Sequence, residues 1–454
     1  MLSRFTVGNF LSFNKNQTLS LIAGDVQKNK DRLYQAQDMK LLKFCAIYGA
    51  NAAGKSNLVK AMSFALKVLF SGTASIHNNL RYFRLDAGNR EKPSYFEFEI
   101  CINKKMYAYG FELNISKKEI VEEWLIELGP VQDNKIFYRN TNTGHYTYDK
   151  SLLEEKSLER FEIYMGDVKT VKNKTFLNHI MVDKDALHAN NPKLAILKQV
   201  FDWFAMLDIT YPDTPVSGYD YLATENPKLI EKAIETFAIG ISQVVFEEIS
   251  QEKVFAQTPK EIKEKIEKNI QELCSDQQCQ ECGMRMNLGG RLIFVSFKDS
   301  IPTFKEVSFI HNNLGNQPFS FSEESDGTQR ILDLLAVLVT LKENSVFVID
   351  EIDRSLHPKL TLHFIENFLE LAKQRNIQLI ITTHESHLLD LNILRQDEIF
   401  FVEKDSTGAS VVFPFDKFKE RFDKRIEKAY LDGRYGGVPL FDSFFIPEKP
   451  CIEK

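Results

Sequence analysis

The chain has 454 residues and a formal net charge of −6, and 43% of its residues are hydrophobic and 12% aromatic. That composition can fill the cores of two or three domains and excludes a disordered chain, while the interspersed charges make no whole-chain case for binding nucleic acid. No apolar signal segment opens the sequence and no run of about 18 apolar residues occurs, so a soluble cytoplasmic protein is expected; its six cysteines read as free thiols rather than a disulfide scaffold.

In chain order, the first strong element is the apolar run Leu41 to Tyr48, which reads as a short buried strand. It runs into Gly49-Ala50-Asn51-Ala52-Ala53-Gly54-Lys55-Ser56, which fits GxxxxGK[ST], and then into a helical period of apolar residues at Leu58, Met62, Ala65, Leu66 and Leu69. Strand, glycine loop and helix are the context that a phosphate cradle needs. The glycines let backbone amides turn toward phosphate oxygens, Lys55 supplies neutralising charge, Ser56 offers a hydroxyl to magnesium, and the helix N-terminus adds partial positive charge. The expected ligand is a nucleoside triphosphate, with Gly49 to Ser56 and Asn57 around it.

From Pro93 to Leu128 the apolar residues alternate at period two, as in Phe96-Glu97-Phe98-Glu99-Ile100, and predict antiparallel hairpins. After about Leu152 the pattern turns helical. Its best helix starts at Thr258-Pro259-Lys260-Glu261, a capping box with proline at the first position, and carries Ile262, Ile266, Ile270 and Leu273 on one face. The spacing of Cys274, Cys279 and Cys282 admits zinc or an iron–sulfur cluster but lacks an evident fourth ligand, so a thiol-bearing turn is preferred. Strand character returns at Arg291 to Phe297. The organisation expected is an N-terminal lobe over 1–151, a compact, mainly helical insertion over 152–285, and a C-terminal lobe over 286–454.

Ser325-Asp326-Gly327-Thr328-Gln329-Arg330 then opens an apolar helix, an entrance suited to an anion. The run Ser345 to Ile349 ends in Asp350-Glu351 and reads as a buried parallel strand with its carboxylates at the C-terminal end, facing a phosphate loop on the neighbouring strand. Asp350 is placed to hold magnesium with Ser56, and Glu351 to orient or deprotonate the attacking water. A helix from Pro358 to Arg375 leads to the β-branched strand Gln378 to Thr383, and His384 at its end is suited to sense a γ-phosphate.

These four blocks, in this order, resemble the ATP-binding cassette (ABC) ATPases. The resemblance implies an α/β head with a mixed sheet, an antiparallel β subdomain and an inserted helical arm, and two heads that close head to tail on ATP and Mg2+. It implies that Ser325, Asp326, Gly327, Thr328 and Gln329 meet the nucleotide of the partner, whereas Lys55, Glu351 and His384 act in catalysis within their own head. Ser355 and His357 fall where the family's dimer-contact loop lies; His357 replaces a usual aspartate and Asp326 a usual glycine. The Leu356-His357-Pro358 run and the opening Phe5 to Phe13, with its NF-x-SF turn, are similar to the soluble branch that includes the overcoming-lysogenization-defect ATPases and SMC-like heads. Ile426 to Pro439 is similar to the tail of bacterial ATPases of abortive phage infection, and the ATPase component of PARIS-type systems is a further comparison of similar size. A glutamine loop is expected between Tyr82 and Glu123. The function implied is an ATPase that oligomerises, senses a phage-derived trigger and controls a separately encoded toxic effector, without a membrane. The alternative is an SMC-like DNA-repair or chromosome-maintenance ATPase, although DNA binding is not indicated by the charge balance.

Overall fold

A computed structural model describes residues 1–182, 191–214, 227–256, 258–275, 283–298, 301–311, 317–339 and 343–418, with Leu187, Gly315, Glu427 and Tyr430. Three larger sheets and the helices between them build the chain. The central one has six strands in the order Leu207–Thr210, Val346–Ile349, Gln378–Thr382, Phe44–Tyr48, Ile399–Lys404 and Ser410–Pro414. The first five run parallel and the last is antiparallel. Three of the four inner strands, Val346–Ile349, Gln378–Thr382 and Phe44–Tyr48, are buried at every position, as the continuous apolar runs in the sequence require of a sheet covered on both faces.

The phosphate-loop helix, Lys55–Ser71, buries Leu58, Val59, Met62, Ala65 and Leu69 in a core shared with a seven-stranded antiparallel sheet. That sheet holds Leu2–Gly8 and Gln17–Ser20 at one end and the hairpins from Ser94 to Tyr148 at the other. Its alternating inward residues, Phe96, Phe98 and Ile100, were legible as period two. On the opposite side, helices Asp326–Val339 and Pro358–Gln374 cover the central sheet and join a second core.

The segment expected as a compact helical arm, 152–285, is built differently. Helices Glu155–Val168, Phe176–Met181 and Ala195–Ala205 bury Phe161, Met165, Phe176 and Phe204 in the same core as the phosphate-loop helix. Leu207–Thr210 then becomes the edge strand of the central sheet, and Ile241–Ile249 pairs with Ile301–His311 in a third, five-stranded sheet. Only four residues long, with its two middle residues half-buried, the edge strand left no distinctive trace in the sequence. Helix Lys260–Ser275 is present as predicted and buries Ile270, whereas Ile262 is half exposed. The side chains of Cys274, Cys279 and Cys282, and most of the tail motif 426–439, lie outside the described residues. Among the described residues no helix is long and apolar enough to cross a membrane.

Candidate functional site

All the parallel strands deliver their C-terminal ends to one edge, and a cleft of about 210 Å³ opens there. Ala50, Asn51, Ala52, Gly54, Lys55, Ser56, Asn57, Glu351 and His384 line it, with Lys60 one helical turn further on. Sequence positions almost 300 residues apart thus meet because parallel strands share direction.

The loop is held from behind. Gly54 has a φ of 121° and a Cβ there would overlap Ser410 Oγ, so only glycine fits. Ser410 Oγ contacts the Ala53 carbonyl at 2.5 Å and Ser12 Oγ at 2.8 Å, and Asn57 Nδ2 donates to Ser12 Oγ at 2.9 Å. The NF-x-SF turn near the N-terminus is therefore a brace for the loop.

Lys55 is buried and its ammonium donates to the Gly49 carbonyl at 2.7 Å and to His384 Nε2 at 3.0 Å. An ammonium has only protons to give, so that ring nitrogen accepts. Burial pulls the Lys55 ammonium down to about 8, against the carboxylates of Asp350, Asp353 and Glu351. Burial and then the Lys55 charge lower the His384 imidazole below its ordinary value, which favours the neutral ring.

The carboxylate strand is not the immediate neighbour of the loop strand: Gln378–Thr382 lies between them. Asp350 reaches across. Its Oδ1 accepts from Ser56 Oγ at 3.1 Å and from Thr382 Oγ1 at 2.6 Å, and the residue is almost fully buried. Glu351 follows with φ 49°, a left-handed backbone rare for glutamate, and its N–H donates to the same Thr382 hydroxyl at 2.8 Å. One threonine thus fixes both carboxylates. The oxygens of Ser56 and Asp350 side by side fit a hard divalent cation such as magnesium. Among the described residues no cluster of three or more His, Cys, Asp or Glu side chains forms a separate metal centre.

The second group of predicted residues is not brought into this cleft. Ser325 caps helix Asp326–Val339, its Oγ accepting the Thr328 N–H at 3.1 Å, and Gln329 Nε2 donates to the Glu324 carbonyl at 2.8 Å. Asp326 is exposed in the first turn. Gly327 faces the Ser355 carbonyl, where a Cβ would stand 3.0 Å away. Ser355 has φ 63°, and His357 caps helix Pro358–Gln374 by accepting the Lys359 N–H at 3.2 Å. A histidine next to that first-turn proline has a local capping reason to be there.

Three contributors were missed. Asp353 accepts the His384 N–H through both oxygens at 3.4 Å, and the third carboxylate of Asp-Glu-Ile-Asp was visible in the sequence. Thr382 carries no signal beyond a β-branched strand. Tyr211, beside Ser63 and Asp350, follows the unrecognised edge strand. The segment 82–123 contains no glutamine and forms hairpins of the antiparallel sheet, so the expected glutamine loop is not there.

Fold and site define a phosphate-loop ATPase head of the ABC type. Residues 44–144 and 182–390, more than half of the chain, match the family described as "AAA domain, putative AbiEii toxin, Type IV TA system", and the chain belongs to that family. No curated protein matches it. Among solved structures it is similar to an Smc head bound to the C-winged helix domain of ScpA, at 15% identity and TM-score 0.42 over 91% of this chain and 96% of that one. It is also similar to the SMC head domain from Thermotoga maritima, at 12% identity and TM-score 0.36 over 91% and 98%. A third is an Smc head with an extended coiled coil bound to the C-terminal domain of ScpA from Pyrococcus furiosus, at 14% identity and TM-score 0.40 over 92% and 97%.

Proposed function

We propose that the protein binds and hydrolyses ATP with Mg2+ between two copies of itself, and that this cycle controls a separately encoded toxic effector in anti-phage defence of the abortive-infection or PARIS type. The observation that carries the ATPase part is the convergence of Lys55, Ser56, Glu351 and His384 on one cleft, with Asp350 bonded to Ser56 behind it, together with the separation of Ser325 to Gln329 from it. A signature entrance that cannot serve its own cleft is suited to serve another copy's. The family's link to toxin–antitoxin systems supports the defence part.

In this reading the backbone from Gly49 to Ser56 cradles the phosphates, and Lys55 turns from the Gly49 carbonyl toward the β/γ oxygens. Ser56 and Asp350 would hold magnesium, which when bound supplies charge neutralisation at the phosphates. Glu351 takes a proton from, or orients, the attacking water. His384, kept neutral by burial and by Lys55, can donate a hydrogen bond to the γ-phosphate from whichever nitrogen bears its proton. Most of the acceleration comes from position and charge rather than covalent chemistry.

The test is phosphate release by wild type, Lys55→Ala and Ser325→Ala proteins, singly and mixed. Each variant alone is expected to be inactive and the mixture to recover part of the activity, because one composite site of the heterodimer is intact. No recovery under conditions where heterodimers form overturns the shared site. Stimulation by DNA that fades with salt would instead favour the chromosome-maintenance reading. Co-purification with a toxin encoded beside this chain would support effector control.

A further inference from the structure

Two residues far along the chain, Glu427 and Tyr430, touch the site from behind. Both have helical backbone. Tyr430 is 4% exposed and its ring stacks on Phe401 at 5.8 Å and 27° and meets Tyr48 edge-on at 5.8 Å and 68°. Tyr48 is the last residue of the phosphate-loop strand, and its buried hydroxyl has no hydrogen-bond partner, so aromatic packing is what fixes its ring. The Tyr430 hydroxyl lies beside the backbone amide of Gly49, the first residue of the loop. Glu427 makes the other half of the contact. Its carboxylate is 2.8 Å from His387 Nδ1 and accepts from Ser386 Oγ at 3.3 Å, on the short turn that begins two residues after His384.

We propose that Glu427 and Tyr430 form a positioning clasp that holds the phosphate loop and the His384 turn at a fixed separation. The contact between Lys55 and His384 at 3.0 Å depends on where those two segments sit, and Glu427 and Tyr430 between them touch both. Tyr430 bears on the loop and so on ATP binding; Glu427 bears only on the histidine turn and so on the chemical step. This inference rests on the ATP reading of the cleft.

The experiment is steady-state hydrolysis of Mg-ATP by wild type, Tyr430→Ala, Tyr430→Phe, Glu427→Ala and Glu427→Gln, with thermal melts of each. The Glu427 pair with His387 is largely solvent-exposed, with side chains 37% and 62% accessible, so its loss should barely move the melt. Glu427→Ala is expected to lower kcat at least fivefold with KM within twofold of wild type, and Glu427→Gln, which can still accept from Ser386, to recover part of it. Tyr430→Ala is expected to lower kcat/KM at least tenfold, and Tyr430→Phe, which keeps the rings packed, to stay within about threefold of wild type. Wild-type kcat and KM in both Glu427→Ala and Tyr430→Ala would overturn the clasp while leaving the ATP site standing. Absence of hydrolysis in the wild type would overturn the reading of the cleft itself and the clasp with it.

Discussion

Thr382 offers the sharpest test of how the carboxylates are held. It is fully buried, donates to Asp350 Oδ1 at 2.6 Å and accepts the Glu351 N–H at 2.8 Å. Thr382→Val keeps the shape and removes both bonds. A hydroxyl on a buried carboxylate contributes about 1.5–3 kcal/mol and one on a backbone amide about 1 kcal/mol, so unfolding should ease by about 2–4 kcal/mol. Asp350 would keep only Ser56 as its hydroxyl donor, and Glu351 would lose the bond that pins its left-handed backbone. Where 1.5–3 kcal/mol of that is lost in the transition state, kcat falls about tenfold to a hundredfold. Urea unfolding and phosphate release on the same preparations measure the two effects. Thr382→Ser should restore both bonds and most of the activity. A Thr382→Val protein with wild-type stability and kcat within twofold would refute the argument that this hydroxyl sets the carboxylates.

Three further outcomes are expected. Glu351→Gln should bind ATP as wild type does but hydrolyse it about a hundredfold or more slowly and accumulate as a dimer in size-exclusion chromatography with light scattering; equal hydrolysis would remove Glu351 from the chemistry. Glu123 and Arg139 form a fully buried pair at 2.8 Å, in which Glu123 also accepts the N–H groups of Phe176 and Leu177 while Arg139 donates to the carbonyls of Val168, Val171 and Lys174. Arg139→Met should therefore cost about 3–5 kcal/mol by leaving a buried carboxylate without its cation, and a denaturant double-mutant cycle with Glu123→Leu should show that the double variant loses less than the sum of the singles. Burial pushes the Glu398 carboxyl up to about 7 against the opposing pull of Arg32, from an ordinary value of 4.5. The folded protein keeps that proton where the unfolded chain has released it, so this group makes stability fall as pH rises from about 4.5 to about 7 and adds no slope above; Glu398→Gln should flatten that window in urea unfolding series.

The cleft was legible because its parts are tied to short local patterns. Gly54 must be glycine for a backbone reason, Lys55 and Ser56 follow it on the first helical turn, and Asp350, Glu351 and His384 end apolar runs long enough to be read as buried strands. What escaped depends on long-range placement. Leu207–Thr210 is four residues of mixed exposure whose strand character comes from pairing with Val346–Ile349, and without it the segment 152–285 reads as helical insertion alone. The same omission hid Tyr211.

The order of strands carries a mechanistic consequence of its own. Because Gln378–Thr382 lies between the loop strand and the carboxylate strand, the Ser56–Asp350 contact crosses the end of the strand that carries Thr382, and the Lys55 contact meets His384 just beyond it. Thr382 braces the carboxylates, and His384 two residues later faces Lys55. A shift of that strand end changes both at once. The turn beyond it, Ser386–Leu388, is the element gripped by Glu427. A perturbation of Glu427 therefore has a short route, three residues long, to the groups assigned to hydrolysis.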